Sequence, residues 1–67
     1  MMQQAIYFGV NKNGKLRMFT EDPIRKDGYW IGKYYVNSVI YSQLLDVIKN
    51  TKLSWEDDSQ CIQITCT

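Results

Sequence analysis

Apolar and polar residues alternate twice near the start of the chain. Ile6, Phe8 and Val10 alternate with Ala5, Tyr7 and Gly9, and Leu16, Met18 and Thr20 alternate with Lys15, Arg17 and Phe19. A period of two marks strands with one buried face, and the Asn13-Gly14 pair between them marks a hairpin. A two-residue turn at Asn13-Gly14 would set Phe8 opposite Phe19 and Val10 opposite Arg17, which sends Leu16 and Met18 to the wrong face. A three-residue loop, Lys12-Asn13-Gly14 with Gly14 left-handed, pairs Val10 with Leu16 and Phe8 with Met18. The second register collects the apolar residues on one face and is the one predicted.

The period then changes. From Asn37 to Asn50 the residues Ile40, Tyr41, Leu44, Leu45, Val47 and Ile48 fall in one arc of about 160° on a helical wheel. Ser38, Ser42, Gln43, Asp46 and Lys49 take the other side, and Val39 sits off the stripe. Asn37 or Ser38 supplies the N-cap, and Asn50-Thr51 ends the helix. An arc this wide needs a surface to lie on, and the strands provide it.

Between hairpin and helix, Glu21-Asp22-Pro23 stops the second strand, because proline donates no ladder hydrogen bond. Arg25-Lys26-Asp27-Gly28 reads as a turn and Tyr29 to Val36 as a third strand, aromatic and β-branched. Trp30, Gly32, Tyr34 and Val36 share one face of it and Tyr29, Ile31, Lys33 and Tyr35 the other, so the pattern does not choose an inside. After the helix, 52–55 reads as a short extended segment that can add an extra strand, Glu56 to Ser59 as a polar turn, and Ile62, Ile64 and Cys66 alternate with Cys61, Gln63 and Thr65 in a last strand. The predicted class is α+β: one domain over 1–67, a small antiparallel sheet in the order β-β-β-α-β, packed on one amphipathic helix.

Length sharpens this picture. A chain of 67 residues leaves roughly 40% of its extended-chain surface exposed, so its core is small. Cys61 and Cys66, five residues apart in one strand, have Cα atoms roughly 16 Å apart on opposite faces and cannot bridge each other. They are expected as reduced thiols in a cytoplasmic protein. With no histidine and no second cysteine pair, a zinc site lacks ligands, and no metal or cofactor is expected. No run approaches the length and hydropathy of a membrane span, and the N-terminus lacks the pattern of a signal peptide. The net charge of +1 divides into +3 over 1–36 and −2 over 37–67, neither half basic enough to mark a nucleic-acid binder.

Candidate chemistry is sparse. Tyr29, Trp30, Tyr34 and Tyr35 form an aromatic band, and aromatic residues are the usual energetic centres of protein interfaces. The acidic turn Glu56-Asp57-Asp58, with Trp55 beside it, suits the rim of a contact with a basic partner. It lacks the alternating ligands and glycine of a calcium loop. Lys12, Lys15 and Arg17 line the first hairpin as a solvated face that also guards an edge. Catalysis lacks its usual base, and GVNKNG has neither the spacing nor the following helix of a phosphate loop.

The expectation is therefore a non-catalytic protein-binding module, an inhibitor or adaptor, contacting its partner through Tyr29, Trp30, Tyr34, Tyr35, Trp55, Glu56, Asp57 and Asp58. In size and composition the chain resembles the short proteins of bacteriophages and other mobile elements. That likeness implies the blocking of a host factor in the host cytoplasm. One alternative is a single-stranded nucleic-acid binder using Arg25, Lys26, Trp30, Lys33 and Tyr34, since cations among aromatics suit stacked bases. Another is a self-associating structural protein whose homodimer completes the core.

Overall fold

The computed structural model describes residues 2–66, and side chains from 3 to 64. Strand β1 (Met2–Val10) and strand β2 (Leu16–Phe19) form the predicted hairpin. Val10 pairs with Leu16 and Phe8 with Met18. The loop closes as its residues dictate: Gly14 has φ 85, its N–H donates to the Asn11 carbonyl at 2.8 Å, and the Asn11 N–H donates to the Lys15 carbonyl at 2.9 Å. The left-handed glycine is what brings Leu16 and Met18 onto the face of Ile6 and Phe8.

Strand β3 (Ile24–Lys26), strand β4 (Tyr29–Ile31), helix α1 (Ser38–Thr51) and strand β5 (Gln60–Cys66) follow. The main sheet is antiparallel in the order β2-β1-β5, and β3 and β4 make a separate hairpin. Helix α1 covers one face. Leu44 is buried with Ile6, Phe8, Leu16 and Met18, and Ile40, Tyr41, Ile48, Leu53, Ile62 and Ile64 pack around them. The exposed members of the apolar arc are Leu45 and Val47, which stand at its two margins on the wheel. Asn37 caps the helix through its Oδ1, which accepts from the N–H groups of Val39 and Ile40 at 3.1 Å each.

The β3-β4 hairpin packs on the opposite face over β1, where Trp30 meets Gly9, so helix, sheet and hairpin are layered there. Three points differ from the sequence reading. Arg25 and Lys26 lie in a strand rather than in a turn. Asp27 (φ 55) and Gly28 (φ 84) alone make the reversal, and positive φ at both central residues defines the tight hairpin turn for which Asp-Gly is suited.

The third strand ends at Ile31 instead of running to Val36. The chain bends at Gly32 and returns along the edge of β2, where the Thr20 N–H donates to the Lys33 carbonyl at 2.9 Å and the Tyr35 N–H to the Met18 carbonyl at 3.0 Å. Alternation then splits the neighbours: Tyr34 stacks on Phe19 on the hairpin side, centroids 5.2 Å apart, and Tyr35 joins the helix-side core.

No strand forms at 52–55. Lys52 adopts the left-handed conformation and its N–H returns to the Ile48 carbonyl, as does that of Leu53 at 3.2 Å, a helix stop that fastens Leu53 onto the core. Ser54 and Asp57 then close a turn, the Ser54 N–H donating to Asp57 Oδ2 at 2.8 Å and the Asp57 N–H to the Ser54 carbonyl at 3.1 Å. Backbone groups held in this way are not free for a ladder.

Candidate functional site

The β3-β4 hairpin is fixed by its inward face and its tip. Register pairs Arg25 with Trp30, Ile24 with Ile31 and Lys26 with Tyr29, and side chains alternate, so Arg25 and Trp30 face the sheet while the other four face away. Trp30 is 5% exposed. Its five-membered ring lies against Gly9, where an added β-carbon would come 2.5 Å from Nε1. Only glycine leaves that room in β1. The indole N–H is buried there without an acceptor among the described residues, so the ring is held by shape and by the Arg25 guanidinium, 4.6 Å from its centroid.

Hydrogen bonds hold the remainder. The Trp30 N–H donates to Oδ1 of the buried Asn11 at 2.8 Å, and the Lys12 N–H donates to the Gly28 carbonyl at 2.7 Å, joining the two hairpin tips. Arg25 Nη2 donates to the Asp57 carbonyl and lies 3.8 Å from the Asp58 carboxylate. Asp58 is fully exposed, which makes the carbonyl bond and the ring contact the stronger ties.

None of these anchors uses the outward face. Ile24 is 66% exposed, Tyr29 42% and Ile31 40%, and Ile24 and Ile31 are direct cross-strand neighbours. These two isoleucines are absent from the residues expected from sequence. Counting outward from Asp27-Gly28 finds them, because a two-residue turn forces Lys26 opposite Tyr29 and therefore Ile24 opposite Ile31.

The other expected residues are dispersed. Tyr34 is exposed on Phe19, and Tyr35 is half-buried, its hydroxyl accepting from Asn37 Nδ2 at 3.1 Å. With Val36, Ser38 and Tyr41 they border an open groove of about 610 Å³ beside Leu16 and Met18. Trp55 is half-buried near Leu45 and Ile48, with Lys12 Nζ 5.6 Å above its ring. Glu56, Asp57 and Asp58 are exposed and reach the hairpin through Arg25 alone among the described contacts. Of the nucleic-acid set, Arg25 and Trp30 face the sheet, Lys26 faces outward, and Lys33 and Tyr34 lie beyond the bend, so the five do not share one face.

Among the described residues no three of His, Cys, Asp and Glu gather so as to hold a metal ion, and no helix is long and apolar enough to cross a membrane. Cys61 is an exposed free thiol; the Cys66 side chain lies outside the described residues. Comparison with protein-family models, curated proteins and solved structures finds no match to this chain.

Proposed function

We propose that this chain is a non-catalytic protein-binding module, an inhibitor or adaptor, and that its contact surface centres on Ile24, Tyr29 and Ile31. One observation carries the reading. The hydrogen bonds and ring contacts that tie the β3-β4 hairpin down come from Trp30, Arg25, Asn11 and Lys12, while the large apolar side chains on its outer side, Ile24, Tyr29 and Ile31, are exposed. A preformed apolar face loses little freedom when a partner covers it, which is how a small surface gains affinity. Lys26 on the same face and the acidic turn 56–58 beyond Arg25 give it a charged rim of both signs, suited to orienting a partner rather than to following a polyanion. Trp30 serves this surface as a positioning residue. The resemblance in size to proteins of mobile elements fits a blocking role.

The test is capture from extracts of the source cell with two baits, the wild-type chain and a variant carrying Ile24→Thr, Tyr29→Thr and Ile31→Thr. Threonine keeps the strand propensity while removing the apolar face. A protein retained by the first bait and lost from the second, with unchanged circular dichroism, is the expected result. Equal capture by both, or none by either, would count against the reading.

A further inference from the structure

The open side of β5 is a second surface, and we infer that it pairs with β5 of a second copy of this chain. Strand β5 is the outermost strand of the sheet, hydrogen-bonded to β1 along Gln60–Cys66. Among the described residues no strand lies on its other side. Natural edges are usually guarded by charge, proline or a bulge. The segment QCIQITC has no charged residue and no proline, and its ladder with β1 runs without interruption from Cys66 to Gln60.

Two copies of such a strand meet without like-charge repulsion, and geometry limits how they meet. A two-fold axis normal to the sheet keeps each side chain on its own face, so position i can stand opposite only positions of the same parity. The register that uses the whole strand places the axis at Gln63. Gln63 then faces its own copy, and Ile62 faces the second copy's Ile64, twice. Both isoleucines lie on the helix side and are only half-buried within one chain. A shallow opening of about 330 Å³ bordered by Val47, Thr51 and Ile62 lies beside them. Pairing forms about six to eight main-chain hydrogen bonds, merges the two sheets into one, and carries the apolar layer across the join.

Gln63 is exposed on the face opposite the helix, paired with Ala5 across the ladder, so its substitution leaves the core of a single chain intact. Sedimentation equilibrium over a wide concentration range is the measurement, on the wild-type chain, on Gln63→Lys, on Gln63→Glu and on an equal mixture of the two variants. The wild-type chain is expected to show a monomer–dimer equilibrium. Each variant alone sets like charges opposite each other and raises the dissociation constant about fivefold. The mixture restores association to the wild-type level or beyond. A strictly monomeric wild-type chain overturns the inference, as does a dimer that both variants leave unchanged or one that the mixture fails to restore.

Discussion

Trp30 and Gly9 occupy one site between them: the five-membered ring of the indole fills the space that a β-carbon on residue 9 would need, with Nε1 only 2.5 Å from that position. The contact joins β4 to the middle of the sheet across more than 20 residues of sequence. It decides which side of the second hairpin faces inward.

Gly9→Val should therefore expel the ring. Overfilling a packed site costs about 1–3 kcal/mol, and here the cost should appear with a red-shifted Trp30 emission and a lower urea midpoint. Thr20→Val, a half-buried change to a β-branched residue of similar size outside this contact, serves as the comparison and should leave the emission in place.

Asn11 is the buried polar residue that ties the hairpin down, its Oδ1 accepting from the Trp30 N–H. Asn11→Ala leaves that N–H buried without an acceptor and should destabilise the chain by about 1–3 kcal/mol in urea titration. Fast exchange of the Trp30 amide would accompany the loss.

Arg25 makes two kinds of contact that substitution can separate. Arg25→Ala removes the guanidinium from the Trp30 ring and the bond to the Asp57 carbonyl, and should cost about 1 kcal/mol. Asp58→Asn removes only the ion pair, whose carboxylate is fully exposed, and should leave the midpoint unchanged. Equal losses in the two variants would assign the tie to charge instead.

At the helix start, Asn37→Ala deprives the Val39 and Ile40 N–H groups of their acceptor. A loss of about 1 kcal/mol is expected, and Asn37→Ser, which can still cap, should recover most of it. Urea titration of both variants reads the difference.

Local pattern carries the elements that local chemistry specifies. The β1-β2 register follows from two alternating runs and a glycine at the left-handed loop position, and α1 follows from its period and Asn37. The second hairpin escapes that logic. Ile24–Lys26 is three residues long, with two charges that mimic a turn, and the aromatics after it lie on both faces of a strand. What orients them is Gly9, a residue without a side chain to announce its role, placed far away in the sequence. The expected contact residues scatter for the same reason: alternation sends Tyr34 and Tyr35 to opposite sides of the sheet, and Trp30 inward. At 52–55 the apolar Leu53 and Trp55 suggest a strand, but the left-handed Lys52 and the Ser54–Asp57 turn take the backbone groups first.

Acrylamide quenching of Trp30 in a Trp55→Phe chain bears most directly on the division of the hairpin into a docked side and a displayed side. With the indole seated on Gly9, emission should be blue-shifted and weakly quenched, and should stay so when Ile24, Tyr29 and Ile31 are all replaced by threonine. Ready quenching by acrylamide in the folded chain would turn the ring outward, and by strand alternation would turn Ile24, Tyr29 and Ile31 inward, removing the surface proposed for the partner.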